Sequence, residues 1–339
     1  MPKLESQPFE SKLDRSNEQF QKNKSSMLSM LEEIDVLLDE AELGGGEHHK
    51  ERLAKRGKLP VRERVFHFLD PDSPFLEISG LAAFKSDYPV GGGAIAGIGV
   101  SAGIECIIFA NDPTVLAGAM HFYSVKKWMR AMQIARDSRL PFIQFVESAG
   151  GDLRPRSNAV VGGTTHFAES GRQFYEITEL SKLNIPTVTV TFGTATAGGA
   201  YQPGMSDYNI FVKDQADVAL AGPPLVQMAT GEISSREDIG GAKMHAEKSG
   251  LAEYLAEDDL DGIRIAREVM SHLNWDKEGT EPRFSIEEPI HDQEDLLGLI
   301  EPSLKTPFDI REIIGRIADG SKFEEFKPLF GPTIICGFI

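Results

Sequence analysis

The sequence predicts an α/β protein with an at least partly parallel sheet. From Pro60 to about Trp275, short runs of β-forming residues alternate with segments of helical periodicity, which is the pattern of strands joined by helices. Two continuous apolar runs, Phe142–Val146 and Thr187–Phe192, have the composition of buried strands. A chain of 339 residues, 41% of them hydrophobic, is large enough for one large or two medium domains with a core.

The first 60 residues are expected to form a helical arm. Apolar residues recur at three- to four-residue spacing from Phe20 to Leu38, which indicates one amphipathic helix, and the glycines at 44–46 end it. A basic segment follows in an otherwise acidic chain, with cations at Lys50, Arg52, Lys55, Arg56, Lys58, Arg62 and Arg64. This segment is either a solvated helix face or a patch for a phosphate ligand or a partner.

The main domain is expected over residues 61–280. Ala94–Val100 and Glu105–Ala110 are joined by a short turn and predict a hairpin. Helical periodicity over about 123–138 precedes the first buried strand, and a helix over about 171–183 precedes the second. Two further strands are expected at Tyr208–Val212 and Asp217–Ala221, so strand and helix alternate throughout the domain.

The last 60 residues predict a linker and an incomplete second domain. Residues 281–301 are rich in proline and acidic residues, as linkers often are. Residues 302–339 hold one expected helix, Ile310–Ile317, and one expected strand, Pro332–Ile339. Because these elements are too few to bury a core alone, we expect either that they dock on the main domain or that the chain ends early in a second domain.

Charge and cysteine content narrow the classes of partner and compartment. The net charge of −17 opposes binding to nucleic acid and to anionic membranes, but not to an anionic ligand that meets a local basic pocket. No apolar run approaches the length of a membrane span. Both cysteines, Cys106 and Cys336, lie in apolar runs and are expected to be buried free thiols. With no apolar signal segment at the start, a cytoplasmic location is expected.

The most informative motif is a glycine pair placed after a buried strand. Gly198-Gly199 follows Thr187–Phe192 and a run of small residues, and opens a short predicted helix. Amides at a helix start are unpaired and lie at the positive end of the dipole, and glycine lets a ligand oxygen approach them closely. The pair is therefore either an oxyanion hole or a tight strand–helix crossing packed by small residues.

Small residues and a glycine also follow a second buried strand. Phe142–Val146 leads into Ala149 and Gly150, and two glycine-bearing strand ends of one sheet can converge on one oxygen atom. A third cluster, residues 221–242, contains Pro-Pro and Gly-Gly pairs that predict either rigid loops around a site or ordinary loops. Walker, H-E-x-x-H and C-x-x-C motifs are absent from the sequence.

Several motifs together resemble the carboxyltransferase subunit of biotin-dependent acyl-CoA carboxylases. They occur in one order from about residue 50 onward and are specific only as a set. The motifs are Arg56-Gly57-Lys58-Leu59, Asn111-Asp112-Pro113-Thr114-Val115, the Lys126-Lys127 helix, Ala197-Gly198-Gly199-Ala200-Tyr201, Ala221-Gly222-Pro223-Pro224, Thr230-Gly231-Glu232, Ile239-Gly240-Gly241-Ala242 and Pro307-Phe308-Asp309-Ile310-Arg311-Glu312.

The resemblance implies a crotonase-like spiral fold and transfer of a carboxyl group from carboxybiotin to an acyl-CoA. The protein would supply positioning and oxyanion holes, with the amides of Gly198 and Gly199 as the catalytic groups that hold either the thioester oxygen or the biotin oxygen. The implied substrate-binding residues are Ala149, Gly150, Lys126, Lys127, Arg154, Ala197 and Tyr201. The two lysines and the arginine are either contacts to the CoA phosphates or ordinary surface charges. No metal is implied, and family members assemble as homo-oligomers.

The resemblance also implies a partner and leaves alternatives open. Ala242-Lys243-Met244 lacks the preceding Met of a biotinylation site, so biotin must arrive on a separate biotin carboxylase or biotin carrier subunit. Extra residues before Arg154 place the sequence nearer to the methylcrotonyl- or geranyl-CoA type than to the propionyl type. The alternatives are biotin-dependent decarboxylation of an acyl-CoA thioester and a non-catalytic scaffold subunit.

Overall fold

The computed structural model describes residues 7–152, 167–276, 285–303 and 305–339. The chain divides into two compact units. The larger unit comprises Leu37–Glu278, and the smaller comprises Met1–Val36 together with Gly279–Ile339. The domain division expected from the sequence, at residues 61–280 and 302–339, stays a prediction.

The strands and helices are numbered in chain order. The strands are β1 (Leu76–Glu77), β2 (Ala94–Ser101), β3 (Ile104–Asn111), β4 (Phe142–Ser148), β5 (Thr187–Thr196), β6 (Tyr208–Val212), β7 (Asp217–Ala219), β8 (Tyr254–Ala256), β9 (Glu324–Phe326) and β10 (Cys336–Phe338). The helices are α1 (Glu18–Leu43), α2 (Glu47–Ala54), α3 (Val61–Phe68), α4 (Phe122–Ser138), α5 (Phe167–Lys182), α6 (Tyr201–Gly204), α7 (Pro223–Thr230), α8 (Arg236–Gly240), α9 (Ala242–Met244), α10 (Asp259–His272), α11 (Leu296–Leu299) and α12 (Arg311–Ile314).

One mixed sheet organises the larger unit. Among the described residues it has eight strands in the order β1-β2-β3-β4-β5-β6-β8, and β7 pairs with the far end of β5. The β1–β2 and β2–β3 pairs are antiparallel, whereas the remaining pairs from β3 to β8 are parallel. The predicted hairpin and the predicted α/β class with a largely parallel sheet are therefore confirmed.

Helices cover both faces of the sheet. Helices α3 and α10 pack on one face through a cluster that includes Phe68, Ile143, Phe145 and Ile263. Helices α4 and α5 cover the other face, where Trp128 packs with Phe109 and Phe142 against the sheet. Because side chains alternate along a strand, Glu147 points to the α3–α10 face, as Ile143 and Phe145 do.

The smaller unit is built on a buried set of charges and one close packing contact. Asp295 forms ion pairs with Arg15 at 2.7 Å and with Arg316 at 3.0 Å, and Arg316 is almost fully buried. Phe20 lies against Gly298, where a Cβ would be 2.3 Å from its ring. These contacts join the N-terminal segment of the unit to its C-terminal segment.

Two details differ from the sequence-based expectations. Strand β5 continues four residues beyond Phe192, because Thr194–Thr196 pairs with β7. Cys106 is buried as predicted, but Cys336 is exposed, so the prediction for Cys336 is wrong. The apolar run around Cys336 forms β10, which belongs to a two-stranded sheet and has no buried face.

Candidate active site

The turn that follows β5 presents an open glycine. A short 3₁₀ turn, Ala197–Ala200, connects β5 to α6, and Ala197 adopts a left-handed φ of 54° to enter it. A Cβ added to Gly198 would meet no atom within 4 Å, whereas one on Gly199 would lie 3.4 Å from Ser148 Oγ. The backbone at Gly198 is thus accessible to a ligand, and its amide belongs to the first turn of a helix, where donors lack intrahelical partners.

The turn that follows β4 lies directly against this glycine turn. Gly150 has a φ of 90°, and a Cβ there would be 2.9 Å from the Thr196 carbonyl oxygen. The Ala149 amide donates to the Ala117 carbonyl at 3.1 Å, and the Gly150 amide donates to Ser148 Oγ at 3.2 Å. Ala149 lines the cavity described below and Gly150 does not, and the amides of both residues stabilise the turn itself.

A cavity of about 410 Å³ reaches Ala149 in the first turn and Thr196 at the start of the second, whereas the predicted residues Gly150, Ala197, Gly198, Gly199 and Tyr201 are outside its lining. Its lining combines the strand ends with basic side chains from other parts of the chain. The lining residues are His49, Arg52, Leu53, Arg56, Pro113, Thr114, Ala117, Glu147, Ser148, Ala149, Thr194, Thr196 and Arg236. Three guanidinium groups at one cavity are a chemically suitable environment for phosphate groups, which arginine binds in a bidentate manner.

The basic segment divides between this cavity and the protein interior. Arg52 and Arg56 are exposed and line the cavity, which matches the phosphate-patch alternative raised from the sequence. Lys58 and Arg64 instead turn inward, where Lys58 Nζ lies 2.6 Å from Glu147 Oε1 and Arg64 is 1% exposed. Neither the solvated-face interpretation nor the patch interpretation anticipates this second group.

Sequence reasoning missed Arg236 as a lining residue. It begins α8 in the loop cluster that was expected to surround a site, and its guanidinium lies 3.2 Å from Asp217 Oδ2. Burial raises the pKa of Asp217, and the adjacent Arg236 opposes that shift. No motif within the sequence brings Arg236 to the ends of β4 and β5; only the pairing of β7 with β5 does so.

The predicted lysines lie elsewhere. Lys126 is exposed on α4, with Nζ 4.5 Å from the Phe122 ring centre. Lys127 is buried, donates to the Gly91 carbonyl at 3.3 Å and lies 3.8 Å from Glu77 Oε1. Burial lowers the pKa of Lys127 to about 8, and the charge of Glu77 opposes this shift. Neither lysine belongs to the described cavity lining.

Two further predicted residues complete the comparison with the sequence. Tyr201 starts α6 directly after the glycine turn; its side chain is 40% exposed, and its ring lies 4.5 Å from that of Phe174. Arg154 lies outside the described residues.

Within the described ranges, no group of three or more His, Cys, Asp or Glu side chains has the arrangement of a metal site. Likewise, no described helix combines the length and apolar character that crossing a bilayer requires.

The larger unit is thus an α/β protein whose basic cavity lies at the carboxyl ends of the parallel strands β4 and β5, the edge at which open α/β sheets commonly bind ligands. A family model for the carboxyl transferase domain matches residues 52–339, and the chain belongs to this family. The resemblance inferred from the motifs is thereby confirmed, and so is the crotonase-like fold.

Named relatives share substantial identity with the chain. It is 46% identical over 330 residues to the probable biotin-dependent acyl-coenzyme A carboxylase beta2 subunit of Mycobacterium tuberculosis, covering 97% of this chain and 61% of that protein. It is 41% identical over 329 residues to the mitochondrial methylcrotonoyl-CoA carboxylase beta chain of Dictyostelium discoideum, covering 96% and 55%.

A solved structure confirms the fold. The beta subunit of geranyl-CoA carboxylase from P. aeruginosa superposes with a TM-score of 0.85 at 41% identity, covering 98% of this chain and 61% of that one. The chain therefore spans about 55–61% of the length of the relatives it matches.

Proposed function

We propose that this chain provides the acyl-CoA side of a carboxyltransferase, which moves a carboxyl group from carboxybiotin to the α or vinylogous carbon of an acyl-CoA. The observation that carries the proposal is the open backbone of Gly198 beside a cavity lined by three arginines. Family membership supports the reaction class.

The glycine turn has the features that the chemistry requires. When the acyl group loses a proton, negative charge develops on its thioester oxygen, and preorganised amide donors stabilise that charge. The amides of Gly198 and Gly199 would supply those donors, and the absence of a Cβ at Gly198 would let the oxygen approach. Ala149 and Gly150 would fix the orientation of the thioester, together with Ala197 and the exposed ring of Tyr201.

The cavity would hold the nucleotide end of the substrate. Arg52, Arg56 and Arg236 can pair with the phosphate groups of CoA, whose charge an acidic protein would otherwise repel. Arg154 and Lys126 stay candidates for the same phosphates, whereas the burial of Lys127 against Glu77 argues against a ligand contact for that lysine.

The other half of the reaction would come from a second chain. Biotin, when bound, supplies an activated carboxyl group, and the lack of a biotinylation motif in this sequence supports delivery by a biotin carboxylase or biotin carrier subunit. We further propose a homo-oligomer of carboxyltransferase subunits. A reducing, cytoplasmic compartment is compatible with the two free thiols.

The names of the relatives support a branched or unsaturated acyl group. The relatives of 40% identity or more whose names give a specific substrate name methylcrotonoyl-CoA or geranyl-CoA, whereas a propionyl-CoA carboxylase beta chain is 30% identical. This agrees with the subgroup indicated by the residues before Arg154. We therefore propose a 3-methyl-2-enoyl-CoA as the substrate class, with carboxylation at the vinylogous carbon.

The test replaces both Gly198 and Gly199 by valine in the full-length subunit assembled with its biotin-carrying partner. Gly198 faces open space, whereas Gly199 is buried with its Cβ position 3.4 Å from Ser148 Oγ, so Gly198→Val alone is tested beside the double variant and should change thermal unfolding little. In both variants carboxyl transfer to 3-methylcrotonyl-CoA should fall by about 100-fold or more. Gly204→Val is the matched control, because Gly204 also faces open space on the same segment.

Each alternative gives a different result. Activity that survives in the double variant would refute the oxyanion assignment. A wild-type assembly that only decarboxylates would support the decarboxylase alternative. A folded wild-type subunit that binds no acyl-CoA would support the scaffold alternative.

A further inference from the structure

An irregularity between β4 and β5 lies directly beneath the two glycine turns. Val146 pairs with Thr191, but the next paired residue on β4, Ser148, pairs with Ala195. Three residues of β5, numbers 192–194, therefore stand opposite the single residue Glu147. Such bulges redirect the strand that carries them, so this one sets where the Ala197–Ala200 turn begins relative to Ser148.

Lys58 bridges the two strands at this bulge. Its Nζ lies 2.6 Å from Glu147 Oε1 and donates to the Phe192 carbonyl at 2.8 Å. The carbonyl of Phe192 lies where the β4–β5 register breaks, and Lys58 supplies it with a donor. One largely buried ammonium thus ties the side chain of β4 to the backbone of β5.

Arg64 secures the opposite side of the Glu147 carboxylate. Its NH2 lies 3.0 Å from Glu147 Oε2, its Nε lies 3.0 Å from Asp259 Oδ2, and its guanidinium stacks 4.3 Å from the Phe192 ring centre. The Leu59 amide also donates to Asp259 at 3.0 Å. Two cations and two carboxylates thus balance their charges in a cluster where Arg64 and Asp259 are buried and Lys58 and Glu147 are partly buried.

Gly193 provides the space for this arrangement. A Cβ on Gly193 would lie 2.7 Å from the Cγ, Cδ and Oε1 atoms of Glu147. The glycine in the bulge is therefore required by the Glu147 side chain and not by a left-handed backbone. The carboxylate of Glu147 passes over Gly193 to reach Lys58.

We propose that Lys58 and Glu147 are positioning residues that lock the β4–β5 bulge and thereby set the spacing between the turn at Ser148–Gly150 and the turn at Ala197–Ala200. The inference rests on the proposed function, because it assigns the lock to the oxyanion site. Lys58 is outside the described lining of the cavity and acts through the strands. Small errors in such spacing cost activity, since donors must meet the developing charge at hydrogen-bond distance.

The experiment measures the polarisation of a bound carbonyl. The probe is 3-methylcrotonyl-CoA labelled with ¹³C at the thioester carbonyl, bound to the full-length subunit and observed by infrared difference spectroscopy. The wild type should lower the stretching frequency of the bound carbonyl relative to free ligand. Lys58→Met should lose more than about half of that shift and should bind CoA within about twofold of wild type, because the phosphate contacts are untouched.

Two variants separate positioning from general damage. Lys58→Arg keeps the positive charge and should retain most of the carbonyl shift. Lys55→Met removes an exposed lysine three residues away and should leave the shift unchanged. Should Lys58→Met fail to fold, Glu147→Gln preserves side-chain shape, weakens the same bridge and should reduce the carbonyl shift measured at saturating ligand. CoA affinity is not the readout for this variant, because Glu147 itself lines the cavity.

The outcomes distinguish this inference from the proposed function. A wild type that binds the labelled thioester without any shift, or that shifts only the ureido carbonyl of ¹³C-labelled biotin, contradicts the proposed role of Gly198 and Gly199. A wild type that shows the shift, with Lys58→Met and Glu147→Gln showing the same shift, overturns the positioning role of Lys58 and Glu147.

Discussion

Replacing Arg52 and Arg56, two of the three arginines of the basic cavity, should weaken CoA binding by an amount that their exposure determines. Arg52 and Arg56 are both exposed at the cavity, so their pairing with phosphates takes place in a dielectric close to that of water. At about 4 Å, such a pair is worth about 1 kcal/mol, which corresponds to about fivefold in affinity per arginine. Arg52→Gln with Arg56→Gln should therefore raise the Kd of CoA about thirtyfold at low ionic strength.

Titration calorimetry with two ligands and two salt concentrations tests this reasoning. CoA should lose affinity in the double variant, whereas pantetheine, which lacks phosphates, should bind both proteins equally. The difference should shrink at about 0.5 M salt, where screening shortens the range of exposed charges. Lys55→Gln is the control, because Lys55 is exposed on the same segment and outside the described cavity lining. Equal CoA affinity of wild type and double variant at low salt would refute the placement of the phosphates.

Three further predictions concern the fold. Gly193→Ala should destabilise the protein by about 1–3 kcal/mol in urea unfolding, because the added methyl overlaps the side chain of Glu147; an unchanged midpoint would show that the bulge tolerates a side chain. Burial lowers the pKa of Lys127 in the folded protein from 10.5 to about 8. Between pH 8 and pH 10.5 the unfolded chain therefore binds more protons than the folded protein. The free energy of unfolding of the wild type should rise by about 3 kcal/mol over this range. Lys127→Met should lack this rise, and parallel pH profiles of the two proteins would contradict it. In the native protein a thiol reagent should modify Cys336 at once and Cys106 only after unfolding, since Cys106 is buried and burial raises its pKa; rapid modification of two thiols would be inconsistent with the structure.

The fold was largely predictable because its signals are local. The hairpin, the buried strand β4 and helix α4 begin and end within a few residues of their predicted positions, since apolar runs, short turns and helical periodicity each lie within one segment. The extension of β5 to Thr196 depends on pairing with β7. A run of small residues after Phe192 resembles a loop in sequence, and only the tertiary partner makes it a strand.

The lysine pair on α4 shows how two adjacent residues of one type receive different environments. Lys127 lies three residues after Ser124 and four before Ala131, and both of these are buried, so the helical repeat places it on the inner face. Lys126 is rotated by about 100° from it and is exposed. The helical repeat by itself therefore distinguishes the two lysines, although their shared charge suggests a shared role.

The basic segment cannot be treated as one unit, because two independent requirements act on it. Arg52 lies on α2, Arg56 lies two residues after its end, and both line the cavity, where they can affect the affinity for a charged ligand. Lys58 and Arg64 follow the turn into α3 and face Glu147, where they can affect only the geometry of the strand ends. Loss of the first pair should therefore change Kd in a salt-dependent manner, and loss of Lys58 should change carbonyl polarisation at constant CoA affinity. A single variant that altered both quantities equally would mean that the cavity and the bulge are mechanically coupled through this segment.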